Sequence, residues 1–557
     1  MTQSNKLRII PLGGLEEVGR NMTILEYNQD ILIIDMGLQF PEEDMPGIDY
    51  IIPNIDYLRD KTKNIRGIII THGHYDHIGA IPHLMADLGN PMIYTMPLTR
   101  GIILKRQEDF PNAPKLKFQT IKKNDKIKLG SFEISFFHVN HNIPDGFGTI
   151  IKTVEGVIVH TGDFKFDHSP IADEPVDIGA IAELSKQNVL LLMSDSTAAE
   201  SPGYSISEKT IQDNLEEIFK KSAGRIIAVT FASLISRIQE IINLTEKYNR
   251  KLVIDGYSMR TNVEIAKELG YLKIKKYTRI KAKDADNFPD NKIVVMATGA
   301  QGEGNAVLMR MVTGEHKHLK IHPGDTVVFS SSVVPGNERT VQGLKDTLCR
   351  QGAKVVHYGM MDIHTGGHAH QEDLKMMINL VKPKYFMPIH GSHYMLRLHA
   401  ELAEAVGIPK NNIIISDNGQ ITEFSKSKYL IQKKKVATNY IMIDGLGVGD
   451  VGNVVLRDRQ MMAQDGMFTI IVMIDSETGR LLKNPQIISR GFIYMKESQD
   501  LITETRNKIR DIVNKKTTPE GTLNPSYVQR SLRDEIGEFL FKKTQRRPMI
   551  LPLVVEV

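Results

Sequence analysis

The segment Thr71-His72-Gly73-His74-Tyr75-Asp76-His77-Ile78-Gly79 places three imidazoles and a carboxylate directly after an apolar run, Gly67 to Ile70. Imidazole and carboxylate suit zinc, and His72 with His74 can turn to one ion while Asp76 and His77 serve a neighbour. A single catalytic ion needs only three protein ligands, so a pair demands more. The sequence offers His141, Asp163 and His390, each where a strand-like run gives way to a turn containing glycine or proline. Taken singly, each reads as an ordinary polar group at a strand end. Together with the first cluster they read as a metal constellation. Two ions ~3.5 to 4 Å apart can neutralise phosphoryl oxygens, and zinc brings the pKa of water to about 7, so hydrolysis of a phosphodiester needs no separate strong base.

Such side chains require rigid elements behind them. The first third of the chain reads as short β-runs, among them Ile31 to Asp35, Gly67 to Ile70 and Gly156 to His160. From about Ser205 to Lys354 the pattern alternates: helix over 206 to 221, strand over 225 to 230, helix over 236 to 248, strand over 252 to 256. That alternation predicts βαβ units with a parallel sheet, and the strands predicted at 293 to 298 and 326 to 331 run into Gly- or Ser-rich loops, where such sheets bind ligands. Another strand, 385 to 388, precedes His390. A basic run, Lys426 to Lys435, and the Gly-rich stretch from Asp444 to Asp450 read as a connector. A small α/β unit follows, with strands near 468 to 474 and 491 to 495, and a last helix with Asn524 as cap and Pro525 in its first turn. Lys542, Lys543, Arg546 and Arg547 crowd the end of that helix and read as a solvated C-terminal turn.

Bulk properties narrow the classes. The 557 residues exceed one hydrophobic core, and 41% hydrophobic with 24% charged residues is an ordinary globular composition. A formal charge of +4 is too weak to announce nucleic-acid binding, so any polyanion must meet a local patch. Cys349 is the only cysteine, which excludes disulfides within the chain and leaves zinc to His and carboxylate ligands. With no signal-peptide pattern and no apolar run of ~18 residues, the expected compartment is the cytoplasm, with no membrane partner.

In their order, the His-x-His-x-Asp-His segment and then His141, Asp163 and His390 resemble the metallo-β-lactamase superfamily. Further segments are similar to the β-CASP nucleases, specifically the ribonuclease J family: Pro11 to Gly14, Ser194 to Thr197, Phe231-Ala-Ser233, Thr298 to Glu303, Phe329 to Ser332 with Pro335 to Glu338, His364-Thr-Gly-Gly-His368, and Asp444 to Gly452. The resemblance covers essentially the whole chain. It implies an α/β protein: a metallo-β-lactamase αββα sandwich (1–205 and 359–435), an inserted parallel-sheet β-CASP domain (206–358), a linker (436–455) and a small α/β C-terminal domain (456–557).

The same resemblance implies two zinc ions per subunit, with manganese or magnesium as alternative working ions. His72, His74 and His141 would hold one, Asp76, His77 and His390 the other, and Asp163 would bridge. Asp76, Asp195 and His368 would be catalytic, with His368 giving a proton to the leaving oxygen and Asp195 orienting it. Ser233, Leu234, Ile235, Ser331, His364, Thr365, Gly366, Gly367 and His368 would contact substrate, and Ser- and Gly-rich turns suit phosphate on independent grounds. A histidine at 390 looks like the RNA-processing branch. The chain departs from the family pattern at Ser236, Tyr257, Gly366, Ser392, His393 and Ala198, none of them a metal position.

The implied activity is 5′-to-3′ exonucleolytic and endonucleolytic cleavage of single-stranded RNA, in mRNA decay and rRNA maturation, by a homodimer or homotetramer assembled through the C-terminal domain. A partner paralogue or an RNA-degradation complex also fits. The main alternative is a catalytically weak paralogue acting as an RNA-binding or scaffold subunit. A lactam or thioester hydrolase would not need the roughly 150-residue insertion, and DNA cleavage is discouraged by His390.

Overall fold

A computed structural model describes residues 6–334, 336–425, 428–476, 478, 480–516 and 525–557. It divides into two compact units, Met1–Gln39 with Ile51–Ile441, and Phe40–Tyr50 with Met442–Val557. Among the described residues no helix is long and apolar enough to cross a membrane.

The first unit begins with hairpin-linked strands whose alternating apolar residues demand a partner surface. Leu7–Gly13, Met22–Tyr27 and Asp30–Ile34 pair antiparallel, and Ile65–Ile69, Met92–Thr95 and Lys117–Thr120 extend the sheet in parallel. Gln420–Ser425 and Lys428–Lys435 complete its eight strands. A second, six-stranded sheet runs in the order Tyr385–Ile389, Val189–Asp195, Val157–His160, Phe147–Lys152, Phe132–His138, Lys126–Leu129. Leu7, Ile9, Leu25 and Leu32 from the first sheet pack with Phe132, Ile134, Ile158 and Met193 from the second in one core. A separate core puts the helices Gln371–Val381 and His393–Ala405 against the far face of the second sheet. This is the expected αββα sandwich.

Between Val189–Asp195 and Tyr385–Ile389 the chain leaves to build a third sheet. Its six strands are all parallel, in the order Arg279–Ile280, Lys251–Ile254, Ile293–Ala297, Ile226–Val229, Thr326–Phe329, Lys354–His357. The central strands are fully buried apolar runs because helices cover both faces. The excursion starts and ends on neighbouring parallel strands, with Asp195 opposite Ile389, so Asp195 and His390 emerge side by side.

In the second unit Met467–Ile474 pairs with Gln486–Arg490 and Met549–Glu556. Phe468, Ile470 and Val472 face the helices Gln499–Lys516 and Pro525–Thr544, meeting Ile509, Val513, Leu532 and Ile536. On the other face Ile488, Leu551 and Leu553 are exposed.

Three sequence expectations shift. The strand expected near 491 to 495 lies instead at Gln486–Arg490, because Gly491 turns at φ 72° against Gly466 and ends the ladder. The basic run is no bare connector: Lys428–Lys435 is the edge strand of the eight-stranded sheet, where exposed lysines discourage further pairing. The Gly-rich stretch carries a tight hairpin, Ile441–Asp444 with Gly447–Val448, turned by Gly445 at φ 57°. Asn524, Pro335 and Lys426 lie outside the described residues. Around the last helix, Lys542 pairs with Glu538, Lys543 with Glu504, and Arg546 donates to the Phe492 carbonyl, as a solvated helix end would.

Candidate metal centre

Each predicted ligand sits at or just beyond the end of a strand. His72 and His74 follow Ile65–Ile69, His141 follows Phe132–His138, Asp163 follows Val157–His160, and His390 follows Tyr385–Ile389. The short helix Tyr75–Ile78 then brings Asp76 and His77 in behind His74. Two non-glycine residues here take left-handed backbone, Asp35 (φ 62°) and His390 (φ 53°), a conformation held only where surrounding bonds over-determine it. Close approach is built in by glycine. A Cβ on Gly37 would lie 1.5 Å from the Asp76 carbonyl oxygen, and one on Gly367 2.3 Å from the His141 ring.

The structure brings all seven predicted ligands together in two groups. His72, His74 and His141 form the first; Asp76, His77, Asp163 and His390 form the second. In the first, Nδ1 of His74 lies 3.0 Å from Nε2 of His72 and 3.0 Å from Nε2 of His141. Ring nitrogens so close cannot all carry protons, and their facing lone pairs suit a cation between them. Asp163 Oδ2 lies between the groups, 3.2 Å from His77 Nε2, 3.7 Å from His72 Nε2 and 3.9 Å from His141 Nε2. Among the described residues His390 Nε2 is buried without a hydrogen-bond partner of good geometry, and it lies 3.4 Å from Asp76 Oδ2. A donor set of imidazoles and carboxylates with an orphaned buried nitrogen fits zinc.

Outer partners fix the rings. His77 Nδ1 faces Asp35 Oδ2 at 2.8 Å, and Thr71 Oγ1 donates to the same carboxylate. His141 Nδ1 donates to the Gly367 carbonyl at 2.6 Å. These contacts turn each opposite ring nitrogen towards the centre, the usual arrangement around metal-bound histidine. Burial holds the His72 and His141 imidazoles well below the usual histidine range, so both stay neutral and able to donate a lone pair. Burial works against the charged form of His77 too, but the carboxylates of Asp163, Asp76 and Asp35 raise it well above that range. Against the same burial, His390 and His77 hold the Asp163 carboxyl well below its usual range.

Beside this set His368 Nδ1 faces Asp195 Oδ2 at 2.8 Å. Asp195 is itself fixed by the backbone N–H and hydroxyl of Thr197, at 2.9 and 2.8 Å. Burial lowers and Asp195 raises the His368 pKa, and the net direction is upward.

The predicted substrate residues divide. Ser331 Oγ and His364 Nδ1 are buried, with no side-chain hydrogen-bond partner of good geometry among the described residues, and burial with the nearby Arg237 lowers the His364 pKa to about 3, so its ring is neutral. A Cβ on Gly366 would meet only the His368 amide nitrogen, at 3.9 Å. Ser233 is partly buried in the loop after Ile226–Val229, whereas Leu234 and Ile235 pack into the core and their amides bond to Phe231 and Ser233 carbonyls. Thr365 Oγ1 donates to Ile206. Ser330, grouped with Ser331 by sequence, is instead structural: it donates to the Ile363 carbonyl at 2.6 Å and receives Arg237.

Three features of the site leave little or no mark in the sequence. Asp35 was visible only as the end of a predicted strand, and Asn21, whose Nδ2 lies 3.2 Å from His77 Nε2, gave no signal. The third is a buried charge network. Arg237 binds Glu240 (2.9 Å), Glu208 (2.8 Å) and the Ile363 carbonyl (2.8 Å), while Lys165, two residues beyond Asp163, reaches Glu208 at 3.4 Å. It ties the sandwich, the parallel sheet and the loop carrying His364 to one point.

Comparison with known proteins accords with this geometry. Residues 46–200 match the beta-lactamase superfamily domain, 223–348 the ribonuclease J beta-CASP domain, 355–415 the Zn-dependent metallo-hydrolase RNA specificity domain and 454–557 the ribonuclease J C-terminal domain. The chain is 38% identical to Ribonuclease J2 of Bacillus subtilis over 554 residues, covering 100% of this chain and 99% of that one. It is 39% identical to Ribonuclease J 1 of Streptococcus pyogenes, covering 99% and 98%. A crystal structure of an Enterococcus faecalis V583 protein of unknown function superposes with a TM-score of 0.54 at 16% identity, covering 77% of this chain and 100% of that one, a likeness of fold alone. With its fold, its paired histidine and aspartate groups and full-length relatives in agreement, the chain belongs to the ribonuclease J family.

Proposed function

We propose that this chain is a zinc-dependent RNA phosphodiesterase holding two ions per subunit, with the domain partition set out from its sequence. The observation that carries the reading is the convergence of seven ligand-type side chains in two groups around Asp163, with the His368–Asp195 pair beside them. His72, His74 and His141 would hold one ion, Asp76, His77 and His390 the other, and Asp163 would bridge. Bound there, zinc supplies Lewis acidity, which acidifies water and offsets phosphoryl charge.

The rest falls to the chain itself. Asp76, whose side chain is 31% exposed, borders the open side of the site and orients the attacking water. Asp195 holds Nδ1 of His368, leaves Nε2 free and favours the imidazolium, so His368 protonates the leaving oxygen. Ser331, His364 and the backbone of Gly366 and Gly367 receive the phosphate. Substrate is single-stranded RNA, cut from the 5′ end and internally, in mRNA decay and rRNA maturation in the cytoplasm. The open apolar face of Ile488, Leu551 and Leu553 supports assembly into dimers or tetramers. The scaffold alternative draws no support from the site, which lacks none of the predicted ligands.

The test is cleavage of a 5′-monophosphorylated single-stranded RNA labelled at its 3′ end. Zinc-loaded wild type should shorten it stepwise, His77→Ala should not, and His368→Ala should slow it by ~10² to 10⁴ while still binding metal. No cleavage by the loaded wild type would reject the proposal.

A further inference from the structure

A cavity of about 490 Å³ lies over the C-terminal ends of Lys251–Ile254 and Ile293–Ala297 in the parallel sheet. It shares no lining residue with the pocket that contains His77, Asp163 and His390. Ligands of open α/β sheets bind at this edge. Gly256, at φ 106°, ends one strand and turns the chain into the helix Tyr257–Glu268, whose first turn faces the cavity.

Charge sets this cavity apart. Arg260, Lys281, Lys283, Arg310 and Lys317 line it against one carboxylate, Asp255. That carboxylate is already engaged by Arg260 at 2.6 Å and by His316 at 3.0 Å. The other four cations make no ion pair or side-chain hydrogen bond among the described residues. Lys209, Lys220 and Lys247, on the helical side of the same inserted domain, are by contrast paired with Asp213, Glu217 and Glu216. In a chain of net charge +4 this cavity is a local patch of the kind a polyanion requires.

Two further features favour a nucleic-acid strand. Tyr257, 65% exposed, gives the cavity an aromatic face, and basic grooves with such faces are how single strands are held without sequence choice. The loop that lines the cavity through Thr298 and Asn305 is also bonded to the serine loop of the candidate phosphate site: Gln301 donates to the Ser332 carbonyl and accepts from the Val334 amide, both at 2.7 Å.

We propose that this cavity is a second phosphate site, gripping the RNA backbone away from the bond being cut. The proposal rests on the RNA reading above. Lys281→Glu with Lys283→Glu removes two exposed cations remote from the metal groups. Binding of an uncleavable 20-nucleotide phosphorothioate RNA should weaken about tenfold, and the salt slope should fall by about 1.4, ~0.7 for each lost phosphate contact. KM for cleavable 20-nucleotide RNA should rise in step, kcat/KM on a tetranucleotide should hold, and Lys281→Arg with Lys283→Arg should bind as wild type. Unchanged binding of the 20-mer overturns the proposal, as does an equal loss on the tetranucleotide. Lost binding of uridine monophosphate or inorganic phosphate with long RNA unaffected also overturns it and assigns the cavity to a free nucleotide. The binding arm needs no cleavage, so an inactive wild type would refute the nuclease reading without touching this one.

Discussion

Arg237→Met tests whether the buried charge network holds the phosphate loops in place. The guanidinium is fully buried and binds Glu208, Glu240, the Ile363 carbonyl and the Ser330 hydroxyl. Methionine fills most of its volume but strands the carboxylates, and breaking a buried pair by removing one partner costs about 3 to 5 kcal/mol. Burial and the neighbouring Glu208 push the Glu240 carboxyl well above the usual range, so it can stay protonated, and Lys165 still lies 3.4 Å from Glu208. Both facts put the loss near the lower figure, about 3 kcal/mol. Because Ile363 precedes the loop carrying His364 and Ser330 precedes Ser331, the same change should lower kcat/KM on RNA by ~10²-fold, the effect of roughly 1 Å of misplacement. Lysine restores charge without the planar fork and should recover only part of either loss. The assay is urea unfolding followed by circular dichroism, with initial rates on one RNA. A stability loss below about 1 kcal/mol, or a lysine variant equal to wild type, would show that the Arg237 network does not hold these loops.

Three further outcomes follow from particular contacts. Burial pushes the Asp173 carboxyl up to about 6, so the folded state keeps a proton that the unfolded chain, with its ordinary value of 3.8, releases. Stability therefore falls as pH rises from about 4 to about 6 and stays lower by up to about 3 kcal/mol; Asp173→Asn should melt higher than wild type at pH 7.5 and equally at pH 4, and an equal gain at both would contradict the assignment. Gly367→Ala should drive the His141 ring aside, since its Cβ would lie 2.3 Å away, and weaken zinc binding by ~10- to 100-fold in a competition titration. Leu551→Glu with Leu553→Glu, exposed 38% and 49%, should lower the assembly mass seen by light scattering without unfolding the unit, and an unchanged mass would exclude this face from assembly.

The ligand positions were legible because metal chemistry leaves its mark in residue type: three imidazoles and a carboxylate beside one strand end, then three isolated donors at others. The sandwich and parallel sheet were legible from their periods and from the family resemblance. Ser330 and Ser331 could not be told apart, since adjacent strand-end residues point to opposite sides and only packing reveals which hydroxyl Arg237 consumes. Asp35 and Asn21 lie far from the histidines in sequence, and the parallel pairing of Asp30–Ile34 with Ile65–Ile69 is what brings Asp35 to Thr71 and His77. The strand at Gln486–Arg490 was missed because its polar alternation is weaker than the apolar run after Gly491.

Two-ion dependence can be read by adding zinc in steps to metal-free protein while counting bound ions and following RNA cleavage in the same sample. Cleavage should rise as the second ion per chain is taken up, and Asp163→Asn should lose both the second ion and the cleavage. Full cleavage by metal-free protein, or two bound ions with no cleavage of any single-stranded RNA, would contradict that dependence.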